Sequence, residues 1–233
     1  MAVQLEVIVQ NAEEAEMAEA YGADRVELVS AIKEGGLTPS FGTIKQAAER
    51  TNLSVSAMLR PHSWSFQYSA DDLAVILEDL HVMKKAGVTG IVFGCLTAEG
   101  QLDHAVLERV LKETGSMEVT FHRAFDELED LEKGYREIAH YFPAVTRILT
   151  SGGEPTAVSD KAEAKLARLT ALQHELDGPV IMPGAGITTA TIQKLHHRVG
   201  AEEYHVGSGA RMDSDYSRPL QEAKINKLLA LLT

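Results

Sequence analysis

Eight times along this chain a short β-branched run gives way to a longer segment of helical period, and few architectures accept that alternation. The runs are Val3 to Val9, Arg25 to Val29, Ser54 to Leu59, Gly90 to Phe93, Glu118 to Phe121, Thr146 to Leu149, Val180 to Met182 and Glu203 to Val206. The helical segments between and after them are predicted over Asn11 to Tyr21, Pro39 to Thr51, Ala70 to Ala86, Asp103 to Thr114, Leu128 to Tyr141, Ala157 to Leu176, Thr188 to Arg198 and Leu220 to Leu232. Eight strand–helix units in 233 residues match a (β/α)8 TIM barrel of the α/β class, which takes about 250 residues. A doubly wound sheet has fewer strands and carries a Gly-x-Gly-x-x-Gly turn after its first strand. Here that turn reads Gln10-Asn11-Ala12. No linker, charge run or low-complexity segment divides the chain, so residues 1–233 are expected to form one domain.

Composition narrows the function. Lys and Arg number 22 against 34 Asp and Glu, a formal charge of −12, and no segment gathers the cations into a stripe. Neither a nucleic-acid backbone nor an anionic membrane is therefore an expected partner. One cysteine, Cys95, leaves no intramolecular disulfide and no multi-cysteine zinc site, and it is expected to be buried and inert. The first residues lack the cationic region of a secretory leader, and no stretch reaches the ~20 apolar residues of a membrane span. A cytoplasmic protein is the expectation.

In a barrel the chemistry lies at the C-terminal ends of the strands and in the loops that follow. Those positions are unusually polar. Glu6 lies in the first strand, Arg25 and Glu27 share one face of the second, and Arg60 ends the third. His122 and Arg123 end the fifth, with Asp126 just beyond; Thr150 and Ser151 end the sixth, and His205 lies in the eighth. Glu6, Arg25, Glu27 and Arg60 are two acids and two bases that could neutralise one another inside the barrel. Glycine loops follow three successive strands: Gly152-Gly153, Gly184-Ala185-Gly186 and Gly207-Ser208-Gly209. Glycine lets backbone N–H groups approach an anion, and barrels commonly bind phosphate after strands seven and eight. Beside a purely structural role, the reading these residues offer is an enzyme or binding site for a small anionic metabolite, phosphorylated or not, with Glu27 as general base and His122 as its proton partner. Arg60 and Arg123 would clamp the anion, and Thr150, Ser151, Gly152, Gly184, Gly186 and Gly207 would hold it. Met58 and Met182 read as core fillers, His196 and His197 as solvent-facing, and Trp64 and Tyr68 in the loop from Pro61 to Ser69 as either a lid or a subunit contact.

Blocks in this order resemble the CutC family: Glu27, Gly35-Gly36-Leu37-Thr38-Pro39-Ser40, Arg60-Pro61, the run Thr120-Phe121-His122-Arg123-Ala124-Phe125-Asp126 and the run Arg147-Ile148-Leu149-Thr150-Ser151-Gly152. The likeness continues through Met182-Pro183-Gly184-Ala185-Gly186-Ile187 and Glu203-Tyr204-His205, and spans residues 3 to about 211. The resemblance implies a cytosolic (β/α)8 barrel associated with copper homeostasis, with copper as an expected partner and self-association into a dimer. Relatives implicated in copper binding carry cysteines at the ends of strands one and two, where this chain has Ile8 and Val29. Cu(I) prefers sulfur ligands, so this departure argues against direct copper binding here.

Overall fold

The computed structural model describes residues 3–233; Met1 and Ala2, which the single-domain and leader readings include, lie outside the described residues. Eight strands form one parallel sheet: β1 (Gln4–Val9), β2 (Arg25–Leu28), β3 (Ser54–Met58), β4 (Gly90–Phe93), β5 (Glu118–Phe121), β6 (Val145–Thr150), β7 (Val180–Pro183) and β8 (Glu203–Val206). The helices alternate with them: α1 (Ala12–Ala20), α2 (Phe41–Arg50), α3 (Ala70–Ala86), α4 (His104–Thr114), α5 (Leu131–Ala139), α6 (Asp160–Leu176), α7 (Ile192–Val199) and α8 (Glu222–Ala230). Each strand pairs with its sequence neighbour, and β8 returns to pair with β1, which curls the sheet into the (β/α)8 barrel. Among the described residues no helix is long and apolar enough to cross a membrane.

Helix α3 starts at Ala70 as expected, but several other helix starts fall a residue or more inside the sequence expectation because capping side chains claim the preceding position. Ser40 accepts from the Thr43 N–H, so α2 begins at Phe41 and not at Pro39. Asp103, Asp130 and Ser159 cap α4, α5 and α6 in the same way. Between β5 and α5 a short 3-10 turn, Arg123–Glu127, occupies residues next to the start expected for α5.

Side-chain alternation sorts the strands into two faces. The outward face is apolar: Leu5, Val7, Val26, Leu28, Ile91, Phe93, Phe121, Ile148 and Tyr204 pack with the buried faces of the helices in one continuous core. The inward face is polar towards the bottom and middle, and carries a small apolar cluster of Ile8, Val29, Met58 and Val92 near the top.

The ring has one seam. β7 and β8 lie side by side at the two ends of the strand order with no ladder between them. Successive residues of a strand aim their N–H groups at opposite neighbours. The Gly184 N–H donates to Thr150 on β6, so the N–H positions of Ile181 and residue 183 face β8. Residue 183 is proline and has no N–H, while the Ile181 N–H donates to the buried Gln173 Oε1 of α6 at 2.7 Å. Both β8-facing donors of β7 are thereby removed from the sheet.

Candidate functional site

The lower interior of the barrel is a chain of ion pairs. Arg25 donates through Nε to Glu6 and through Nη2 to Glu203, each at 2.5 Å. Arg147 donates to the same Glu203 oxygen at 3.1 Å and to Glu118 at 2.8 Å. The Met182 sulfur accepts from Arg25 Nη2 at 3.3 Å, so this methionine solvates a guanidinium as well as filling space. Burial pushes the Glu6 carboxyl up, but Arg25 and His205 outweigh it and hold Glu6 well below the usual carboxylate range. Arg25 and Glu6 therefore form the floor of the site, and neither lines the cavity above it.

That cavity, of about 240 Å³, opens at the C-terminal ends of the strands. Glu27, Arg60, His122, Arg123, Gly186, His205 and Gly207, predicted from sequence, all line it. Glu27 and His205 form its central pair: His205 Nε2 stands 3.2 Å from a Glu27 oxygen, and Nδ1 bonds Glu6 at 2.7 Å. Burial and the nearby Glu6 charge push Glu27 up to about 7, against the pull of His205. Burial pushes His205 down, yet Glu27 and Glu6 outweigh it and raise the imidazole above its ordinary value. Sequence reasoning pairs Glu27 with His122; the structure pairs it with His205 instead, because β8, β1 and β2 are consecutive in the ring.

Arg60 is 7% exposed and faces no carboxylate partner. Its guanidinium donates to backbone carbonyls, those of Ser63 at 3.1 Å and Glu34, Gly35 and Gly36 at 3.4 Å, its Nε has no partner, and the nearby Tyr68 hydroxyl and Glu127 charge only partly offset the burial that lowers it. The neutral quartet of Glu6, Arg25, Glu27 and Arg60 expected inside the barrel therefore does not form. Phe66 covers the Arg60 guanidinium, with the ring centroid 4.5 Å from Cζ.

The loop after β6 turns away from the cavity to serve Asp126. That carboxylate accepts from the Ser151 and Gly153 N–H groups at 3.1 and 2.9 Å, from the Thr150 and Ser151 hydroxyls, and from Arg123 Nε at 2.8 Å. The Gly152 N–H donates to Thr150 Oγ1 at 2.9 Å. Asp126 thus fills the nest that the glycines were expected to offer a ligand. Gly184 is packed between Leu149 and His205, where a Cβ would collide with Leu149.

Two aromatic side chains of the cavity went unread in the sequence. Phe66, and not Trp64 or Tyr68, is the residue the Pro61 to Ser69 loop sends into it. Trp64 lies 79% exposed and stacked on His62, and Tyr68 packs on Phe93. Tyr216, from the long connection after β8, sets its ring against Gly207, where any Cβ would overlap the hydroxyl. The connection is tied down by Arg211, fully buried and bound to both Glu14 oxygens at 2.7 Å. His196 is not free in solvent either; Nδ1 bonds the outward-facing Tyr204 hydroxyl at 3.0 Å.

The CutC family model matches residues 3–210. The chain belongs to the CutC family. A CutC family protein of Bacteroides thetaiotaomicron is 37% identical over 214 residues, covering 91% of this chain and 83% of its own. One from Photobacterium profundum is 38% identical over 206 residues, covering 88% and 82%. Among solved structures, a Streptococcus agalactiae chain named as a copper homeostasis protein CutC superposes with a TM-score of 0.80 at 26% identity, over 88% of this chain and 98% of that one. A phosphoribosyl anthranilate isomerase from Thermococcus kodakaraensis matches with a TM-score of 0.61 over 98% of each chain, and at 16% identity it shows the shared barrel alone.

Among the described residues of this CutC family member, sulfur ligands of the kind Cu(I) prefers are sparse at the barrel mouth. Its thiol, Cys95, is buried in the outer core, where Sγ donates to the Asp103 carbonyl at 3.4 Å and burial raises it well above its ordinary value. Ile8 and Val29 stand together with Met58 and Val92 as an apolar wall, with one thioether and no thiolate. Glu6, Glu27 and His205 bring donor atoms within 4.8 Å of one another. That group is already closed: His205 sets one nitrogen against each carboxylate, and Glu6 also carries Arg25.

Proposed function

We propose that this CutC family protein binds a small anionic metabolite at the barrel mouth and that Glu27 accepts a proton from it. The observation that carries this reading is Arg60, a buried cation facing the cavity with no salt-bridge partner among the described residues. A buried charge is costly unless paired, and an anionic ligand supplies the missing partner. Arg123, 42% exposed at the rim and already bound to Asp126, adds a second positive group at the entrance. Glu27, held at about 7 by burial, is poised to take a proton near neutral pH, as a general base must be. The copper-homeostasis name of the Streptococcus agalactiae relative extends to this chain as a physiological association, with a metabolite and not the metal as direct ligand. The apolar pair of Ile8 and Val29 supports that choice.

Titration calorimetry with inorganic phosphate and glycerol 3-phosphate tests the reading. Arg60→Ala is expected to weaken anion binding about tenfold or more, the worth of one charge-assisted contact. Arg60→Lys, which keeps the charge, serves as the folding control. An unchanged dissociation constant in Arg60→Ala would overturn the assignment.

A further inference from the structure

His122 ends β5, is 4% exposed, and is held in a single tautomer by the backbone that follows it. The Ala124 N–H donates to Nδ1 at 3.2 Å, so that nitrogen presents its lone pair and the ring proton resides on Nε2. Nε2 has no hydrogen-bond partner, and the ring forms part of the cavity wall. Gly94 makes the placement workable, since a Cβ there would lie 2.5 Å from Nδ1. Phe66 packs against the ring with centroids 4.8 Å apart. Burial first, and the Arg60 charge second, drive the imidazole down to about 3, so it stays neutral at physiological pH. A neutral imidazole in this position keeps its Nε2 proton, which is left free to donate one hydrogen bond to a ligand.

Glu27 and His122 approach the cavity from strands three positions apart in a ring of eight, and so from opposing walls. One wall therefore offers a carboxylate base, the other an N–H donor, with the Arg60 guanidinium on β3's end between them. A base and a neutral donor on opposite sides of a bound molecule suit the removal of a carbon-bound proton next to a carbonyl, because the donor strengthens its bond as charge moves onto the oxygen.

We infer, building on the anion-binding reading, that the ligand is an enolisable carbonyl compound bearing an anionic group, with its carbonyl oxygen on His122 Nε2–H and its α-hydrogen facing Glu27. The Glu27 carboxylate takes the α-proton; the C–H electron pair becomes the C=C bond, and the carbonyl π pair moves to oxygen. The resulting enolate is held by His122 Nε2–H beside the Arg60 charge. Once the proton on Glu27 has exchanged with solvent, a proton returns from Glu27 to the α-carbon as the oxygen lone pair re-forms the carbonyl, so the compound is regenerated with no redox partner.

Two matched pairs of probes in D2O test this: dihydroxyacetone phosphate against glycerol 3-phosphate, and pyruvate against L-lactate. Binding is read by calorimetry and exchange at the α-carbon by proton NMR. In at least one pair the carbonyl member is expected to bind about tenfold tighter than its hydroxyl partner and to take up deuterium only with protein present. Glu27→Gln should abolish the uptake and keep the preference. His122→Phe should erase the preference while leaving the hydroxyl member's affinity in place, and His122→Gln, which retains a donor, should restore much of it. Equal binding of both members by the unmutated protein overturns the carbonyl inference and leaves the anion site standing. A His122→Phe loss that is equal for both members also overturns it, by reducing the ring to packing. If no member of either pair binds, the anion-binding reading fails and takes this inference with it.

Discussion

Below pH 6.5 an exposed histidine takes up a proton, and His122 in the folded chain resists doing so until about pH 3. A folded value under the unfolded one means the native state binds fewer protons across that window. Its contribution to stability is whole above 6.5 and drains away as pH falls towards 3, by up to about 1.4 kcal/mol per pH unit. His122→Phe removes the group from both states. Urea unfolding should therefore show the unmutated protein losing stability faster than His122→Phe between pH 7 and pH 4; parallel curves would refute the neutral, desolvated imidazole. Which side chains point inward is legible in the sequence, because Arg25 with Glu27 and Thr120 with His122 obey the two-residue alternation of a strand. Which of them meet is not. Glu27 finds His205 only because β8 comes round to β1, a contact that joins residues 178 positions apart. Arg60 lacks its expected carboxylate because Arg25 and His205 hold Glu6 and His205 stands against Glu27.

At the scale of elements, the eight runs and eight helices can be read from the chain because each carries its own period and, for most helices, its own cap. The errors cluster where a side chain competes with the backbone. Ser40 and Asp130 hold the caps one residue before their helices, and the turn after His122 stays 3-10. Asp126 misled the reading of the β6 loop for a related reason: glycines that expose N–H groups attract an anion, and here the chain supplies the anion itself. The seam between β7 and β8 rests on a residue of the same kind. Gln173 substitutes its side-chain carbonyl for a strand partner, so Gln173→Met leaves the Ile181 N–H buried and unpaired. A loss of about 1–3 kcal/mol in unfolding free energy is expected, measurable by denaturant titration. No loss would mean that β8 or water can serve that donor.

Across the whole molecule, the main apolar core lies between the ring and its helices. The interior is left to charge: an ion-paired floor from Glu118 to Glu6, a Glu27–His205 pair above it, and an Arg60 with no salt bridge at the mouth. A net charge of −12 gave no hint of that local positive site, because total charge averages over a surface on which one buried guanidinium counts for little. The apolar wall of Ile8, Val29, Met58 and Val92 was half-visible in sequence, as two missing cysteines, but its assembly required the strands to be in register. The central claim, an anion site in place of a copper site, is tested most directly by a thermal-shift comparison of Cu(I) under reducing conditions with a panel of phosphorylated and carboxylated metabolites. A ligand that binds only the folded state raises the melting temperature with occupancy. An upward shift with at least one anion, lost in Arg60→Ala, and none with Cu(I) is the predicted result; a shift with Cu(I) alone would contradict it.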